Sequence, residues 1–293
     1  MPRLFFGFLF IPLSMDKPDH NRQPKAAVIN DFTSFGRCSL AVSLPILSAM
    51  KVQCCAVPTA IFTNHTGFPH FSWRDCTDRL DDYIRDWRAT GLSFDAISSG
   101  FLGSARQVNF VKRFVEEFRG ETSIVVADPV MGDGGMLYPT YDRTLAESMR
   151  LLLSFADVLT PNLTEACVLA GVPYDPSISD KALASLGEKL LDGHADRAVI
   201  SGVVRGDLIV NTVCERGRDT VFIKTPKIGP DRSGTGDVFS AVITGALVRG
   251  SRFPEAVRLA ADFTGKAVAR TVELGLPATD GLAIEEVLGE LAK

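Results

Sequence analysis

The sequence predicts one α/β domain, a mostly parallel sheet wound between helices and finished by an antiparallel edge. Three observations predict it. From Lys25 onward, short β-branched runs alternate with helix-periodic segments, the pattern of parallel strands joined by crossover helices. A chain of 293 residues, 46% hydrophobic and 23% charged, can bury one substantial core. No repeat, low-complexity tract or linker divides it.

Residues 1–24 are expected to stand apart as an extension, disordered or untranslated, leaving 25–293 as the domain. Leu4 to Leu13 is apolar but too short to span a bilayer, and only Arg3 precedes it. It makes at most a weak secretory signal, because Ser14 to Lys25 is polar, contains proline and lacks an obvious small-residue cleavage site. Met15 is an alternative start.

The expected strands are AAVI (26–29), VQCCAVPTAIF (52–62), FDAIS (94–98), SIVVAD (123–128), ADVLT (156–160) and RAVIS (197–201). The expected helices are Trp73 to Ala89, Ser104 to Phe118, Arg143 to Ser154 and Leu163 to Ala170, each apolar at three- and four-residue spacing. After Ser201 the period changes. DLIVNTVCERGRDTVFIKTP (207–226) reads as two strands around a turn at Glu215 to Asp219, a hairpin that gives the antiparallel edge. GPDRSGTGD (229–237) then leads into helices at Asp237 to Val248 and Pro254 to Arg270, with a last one near Ala283 to Leu291.

The net charge of −4 comes from 31 basic and 35 acidic residues spread along the chain, so no electrostatic footprint for nucleic acid exists. Cys38, Cys54, Cys55, Cys76, Cys167 and Cys214 form no CxxC pair and no His/Cys cluster at zinc spacing. Reduced, mostly buried thiols and a cytoplasmic setting are expected, with no membrane partner.

The strongest chemical signal is SGTGDVFSAVITGAL (233–247). Gly234 and Gly236 flank Thr235 and open onto a helix at Asp237. Glycines allow dihedrals that side chains forbid, so successive N–H groups converge on one oxygen, and the helix dipole adds roughly half a positive charge there. An aspartate at that point can take a proton from a hydroxyl attacking phosphorus, beside amides that stabilise a transferred phosphoryl group. Taken alone, the same four residues read equally well as a turn whose Asp237 caps its own helix.

Five further segments weigh against the plain turn: INDFTSFGRCSLA (29–41), PTAIFTNHTG (58–67), SSGFLGS (98–104), ADPVMGDGGMLY (127–138) and TPNLTEA (160–166). With SGTGD (233–237), they make the chain resemble the ribokinase-like superfamily, and within it the branch of pyridoxal and hydroxymethylpyrimidine kinases. The resemblance runs from about Ala26 to the C-terminus. It implies a single-domain three-layer α/β/α sandwich that phosphorylates a small-molecule alcohol with ATP. A B6 vitamer (pyridoxal, pyridoxamine or pyridoxine) is the expected acceptor, hydroxymethylpyrimidine the alternative, and sugars or nucleosides stand further behind.

By the same resemblance Asp237 is the catalytic base, and Gly234, Thr235 and Gly236 hold the anion. Asp128 of DPVMGD and Glu165 of the NxxE motif arrange Mg2+ near the phosphates; that ion favours one or two carboxylates plus phosphate oxygens and water. Read singly, Asp128 is a strand-end acid before Pro129, and Glu165 complements its helix dipole. Thr160, Asn162, Glu165 and Ser201 are placed against the nucleotide, with the 207–225 hairpin and the final helices at its adenine side. K+ is left open as a further ion, and a homodimer paired through edge strands is implied.

On the acceptor side the resemblance places Asn30, Asp31, Thr59, Asn64 and His65. Asp31 is expected to pair with a ring nitrogen or an amine, and Thr59 to contact ring substituents. Phe101 stands where many pyridoxal kinases carry tyrosine, so ring stacking survives without the phenol hydroxyl. His65 reads as a structural hydrogen-bonding residue. Tyr138, after Gly134 and Gly135, reads either as part of a loop that closes over ATP or as a surface turn. Lys224, Lys227 and Arg232 precede the anion site and read either as cations that neutralise phosphates in a closed complex or, as most such charges do, as ordinary surface groups.

Other chemistries lack their signatures. Ser240 sits in no GxSxG elbow, and GxxxxGK[ST], HRD and DFG are absent. A catalytically idle vitamer-binding protein of the same fold is the reading from another class, and turnover separates it from the kinase.

Overall fold

A computed structural model describes residues 19–292, so most of the expected extension lies outside the described residues. Its described part is tied to the domain. Asn21 donates through Nδ2 to Gly91 O and accepts at Oδ1 from Ser93 N–H, each at 3.0 Å, and Pro24 O accepts from Gln53 N–H at 2.8 Å.

The chain runs β1 (Lys25–Phe35), α1 (Leu40–Ala49), β2 (Gln53–Asn64), β3 (Trp73–Asp75), α2 (Leu80–Thr90), β4 (Phe94–Ser99), α3 (Ala105–Phe118) and β5 (Arg119–Ala127). A small hairpin, β6 (Gly132–Asp133) and β7 (Met136–Leu137), precedes α4 (Arg143–Ser148), β8 (Val158–Leu159), α5 (Leu163–Ala170) and α6 (Asp180–Leu190). β9 (Arg197–Arg205), β10 (Leu208–Glu215), β11 (Val221–Pro226), α7 (Thr235–Val248) and α8 (Phe253–Glu273) complete the frame. The main sheet has the order β11-β10-β9-β8-β5-β4-β1-β2-β3. Its six central strands are parallel; β10 and β11 at one edge and β3 at the other are antiparallel. The expected α/β/α sandwich is therefore the fold, with antiparallel pairing at both edges.

The central strands read as unbroken apolar runs because both faces are covered. Ala27 and Ile29 of β1, Val125 of β5 and Ile200 of β9 face the core beneath α2 to α6. Val126, Val158 and Val199 face the opposite core beneath α1, α7 and α8.

Several expected boundaries move. The helix expected from Trp73 begins at Leu80, because Trp73–Asp75 pairs with β2. Trp73 lies opposite Phe62, and their rings stack with centroids 5.5 Å apart; that cross-strand pair overrides the helical period. Arg143 to Ser154 divides into α4 and a 3-10 turn, Met149–Ser154, and the C-terminal helix is two 3-10 turns, Ile284–Glu286 and Leu288–Ala292. Two helices lie outside the expected set: α1, which contains Pro45, and α6, capped by Ser179 Oγ accepting from Ala182 N–H at 3.2 Å.

Candidate active site

The parallel strands deliver Asn30, Gly100, Asp128 and Thr160 to one edge of the sheet, the edge where ligands bind in doubly wound folds. The start of α7 meets them there. Gly234 is its N-cap at φ 77°, ψ 0°. The first intrahelical bond is Val238 N–H to Gly234 O at 3.0 Å, so the N–H groups of Thr235, Gly236 and Asp237 precede it and remain available to an anion. The Thr235 hydroxyl is occupied, donating to Arg232 O at 2.7 Å. Arg232 in turn donates to the carbonyls of Leu276 and Pro277, at 3.0 Å each.

Asp237 keeps part of its surface open, but dense surroundings exclude most water from its carboxylate. Asn30 Nδ2 donates to its Oδ1 at 3.1 Å, and the Ser39 N–H faces the same group. Burial first, then the charge of Asp31, pushes the Asp237 carboxyl up to about 6, against the lowering effect of those two donors. A base with a value near neutrality suits proton abstraction from an alcohol.

Asp128 and Glu165 lie near Asp237 and form an acidic corner. Burial and the neighbouring charges of Glu165 and Asp237 raise Asp128 well above the usual carboxylate range. Burial likewise pushes Glu165 up to about 8, although backbone N–H groups of Asn162, Met131 and Gly132 oppose it. The Glu165 oxygens accept from Met131 N–H (3.0 Å) and Asn162 N–H (2.9 Å), the second closing a capping box on α5. The Asp128 carboxylate has no hydrogen-bond donor among the described residues. Among the described residues no group of three or more acids, histidines or cysteines is placed to hold a metal ion. A hard divalent cation here would have Asp128 as its protein oxygen ligand, with Glu165 further back and the remaining positions left to phosphate and water.

Replacing Asp128 with Asn is therefore expected to stabilise the metal-free protein by roughly 1–3 kcal/mol at neutral pH. The sign follows from proton linkage. A carboxyl raised on folding binds more protons folded than unfolded, so wild-type stability falls as pH rises from about 4 through the folded value. The Asn variant does not titrate there, and the gap in melting temperature should widen with pH. Melting curves in chelator check it; an Asn variant that melts lower at every pH contradicts it.

On the acceptor side, Asp31 is 5% exposed and turned inward. Its oxygens accept from Ser39 Oγ at 2.6 Å and Thr33 Oγ1 at 2.7 Å, and burial raises its carboxyl despite them. Its charge thus acts on Asp237 through space. Thr59 is fully buried and donates to Phe101 O at 2.9 Å, so it holds the backbone of Phe101. Phe101 packs edge-on against Phe62 and Tyr141, with centroids 5.8 and 6.0 Å apart. His65 accepts from Gly67 N–H at Nδ1 (3.1 Å), so Nε2 carries the proton and donates to Thr279 O at 2.7 Å. Ser39, which sequence reading missed, has φ 55° and ψ −133° and precedes α1; a serine in such a conformation is visible only in three dimensions.

On the nucleotide side, Asn162 forms a bridge with Ser201 and donates through Nδ2 to Gly132 O at 2.8 Å. Thr160 is 4% exposed, its hydroxyl 3.5 Å from Ser240 Oγ. Gly134 and Gly135, at φ 58° and 83°, make the two-residue turn of the β6–β7 hairpin. That hairpin is pinned by Gly135 N–H to Thr164 Oγ1 at 2.9 Å. Tyr138 follows it, and burial together with Glu165 and the other nearby acids raises its phenol. Among the described residues, no helix is long and apolar enough to cross a membrane.

The sequence profile described as phosphomethylpyrimidine kinase matches residues 44–280. A candidate phosphomethylpyrimidine kinase of Bacteroides thetaiotaomicron, crystallised with pyridoxal, is 36% identical, covers 93% of this chain and 96% of its own, and superposes with a TM-score of 0.89. The pyridoxine/pyridoxal/pyridoxamine kinase of Bordetella avium is 28% identical over 267 residues, 84% of this chain and 86% of its own length. The hydroxymethylpyrimidine/phosphomethylpyrimidine kinase of Bacillus subtilis is 27% identical over 253 residues, 86% and 91% of the two chains.

Proposed function

The chain belongs to the phosphomethylpyrimidine kinase family, and from that premise we propose that residues 25–293 transfer the γ-phosphoryl group of ATP to the 5′-hydroxymethyl group of a B6 vitamer. The observation that carries the kinase reading is a desolvated carboxylate, Asp237, on the first turn of a helix whose free N–H groups stand beside it. The B6 acceptor is supported by the pyridoxal bound in the 36% identical relative and by the aromatic face of Phe101 among Phe62 and Tyr141.

In this mechanism the acceptor hydroxyl attacks the γ-phosphorus in line. The new O–P bond forms as the bond to the bridging oxygen breaks, the proton passes to the Asp237 carboxylate, and ADP leaves. The N–H groups of Thr235, Gly236 and Asp237 meet the negative charge of the moving phosphoryl group without reorganising. Phe101 orients the ring. Mg2+, held by Asp128 with Glu165 behind it, would supply neutralisation of the phosphate charge.

Asp237 must be ionised to act. The ratio kcat/KM, which reports the free protein, is expected to fall about tenfold per pH unit below about 6, the value to which burial raises this carboxyl. A limb at the ordinary aspartate value of about 4 contradicts this environment.

The test of function is a steady-state assay with MgATP and pyridoxal, pyridoxamine, pyridoxine and hydroxymethylpyrimidine in separate reactions, following the phosphorylated product. Turnover on a vitamer supports the proposal. Turnover on hydroxymethylpyrimidine alone keeps the mechanism and replaces the substrate, the alternative favoured by the Bacillus subtilis relative. No transfer to any acceptor, with vitamer binding retained, favours an idle binding protein.

A further inference from the structure

We propose that Asn30 is a positioning residue for the transfer, its single amide setting the base Asp237 and the ring platform Phe101 in fixed relation to one another. The inference rests on the kinase reading above. Asn30 lies in β1 and is 5% exposed. Its Oδ1 accepts from the N–H of Phe101 at 2.8 Å and of Asp31 at 2.9 Å. Two backbone N–H groups can only donate, so they determine which end of the amide is oxygen. The Nδ2 end faces the other way, where it donates to Asp237 Oδ1 at 3.1 Å.

The surrounding backbone leaves that amide one place to sit. A Cβ built on Gly100 would fall 2.4 Å from Asn30 Nδ2 and 2.5 Å from its Cγ. Gly100 is itself held by its N–H to Ile29 O at 2.9 Å, so residue 100 must lack a side chain for the amide to occupy its slot. The Phe101 peptide is gripped at both ends, its N–H on Asn30 and its C=O on the Thr59 hydroxyl at 2.9 Å. One buried amide thereby joins the group that takes the proton to the backbone of the ring that orients the acceptor. Asn30 donates nothing to the breaking or forming bonds, so it positions rather than reacts.

Asn30→Asp is the discriminating variant. It keeps an oxygen for the Phe101 and Asp31 N–H groups and replaces only the donor to Asp237 with a second carboxylate oxygen. The expected result is a fall in kcat of about 10- to 100-fold, with the KM of the acceptor and the affinity for MgATP within about twofold of wild type. Gly100→Ala, which retains every atom of Asn30 but displaces the amide, should show the same split and covers the case in which the aspartate variant does not fold.

Wild-type kcat in either folded variant overturns the proposal, as does a loss of kcat matched by an equal loss of acceptor and MgATP binding, which marks a merely structural residue. A wild-type protein inactive on every acceptor sinks the kinase reading itself, and this inference with it.

Discussion

Replacing Asp237 with alanine is expected to lower kcat on the order of 10²–10⁴-fold while the protein still binds MgATP. The carboxylate is the ionisable group at the mouth of α7, and its raised value of about 6 makes it basic enough to accept a proton from an alcohol in the transition state. Its removal does little harm to the fold, because two effects oppose each other. Asn30 Nδ2 loses its acceptor, costing about 1–3 kcal/mol, while a desolvated charge that repels Asp31 and Asp128 disappears. Melting temperature near wild type, MgATP affinity by calorimetry near wild type, and a collapsed kcat together constitute the expected result. Near-normal turnover in this variant removes Asp237 from the chemistry.

The elements legible in the sequence are those whose local signal agrees with their tertiary role. Ala105–Phe118 is amphipathic and capped by Ser104 accepting from Gln107 N–H at 3.3 Å, and Leu163–Ala170 carries the Asn162–Glu165 capping box. Both were expected within a residue of their observed bounds. Leu40–Ala49 was not expected, because LAVSLPILSA is apolar nearly throughout and contains a proline. Its environment is the sheet on one side and α7 on another, so it has no polar face to give a period. Trp73–Asp75 is too short for alternation to register, and its strand state depends on a partner eleven residues earlier, Phe62.

The candidate site divides the same way. Gly-Thr-Gly-Asp is legible because glycine, glycine and acid are contiguous. The amide that aims the acid is not, since Asn30 and Asp237 stand 207 residues apart and meet only when β1 and α7 pack. Asp31 illustrates the opposite case. Its position at the same sheet edge as Asp237 is legible from the order of motifs, but which way its carboxylate points depends on the hydroxyls of Thr33 and Ser39. Two hydroxyls within eight residues of Asp31 turn its carboxylate inward, where its charge acts on Asp237.

The second large effect is expected at Gly234, and its contrast with Gly236 separates the needs of the fold from those of the phosphoryl group. At Gly234 φ is +77°, and an added Cβ would lie 2.1 Å from Arg37 O, 3.1 Å from its carbonyl carbon and 3.2 Å from Cys38 Cα. All three are backbone atoms of a loop that cannot yield easily. Arg37 and Ser39 already have positive φ, 44° and 55°, and Arg37 is anchored by Glu285 at 3.0 Å and by the Asp280 carbonyl at 3.1 Å.

Gly234→Ala therefore forces α7 away from the loop that faces Asp237. A stability loss of at least about 2 kcal/mol and a kcat loss of about 10²–10³-fold are expected. Gly236 is exposed, has no positive φ, and a Cβ there meets nothing within 4 Å. Gly236→Ala should fold as well as wild type or gain on the order of 0.5–1 kcal/mol from helix propensity. The open space around Gly236 is the space a phosphoryl group would enter in the proposed transfer, so kcat should fall without any loss of melting temperature. A Gly236→Ala enzyme of full activity means that no phosphoryl group approaches that face, and Gly-Thr-Gly-Asp is then a turn and a helix cap.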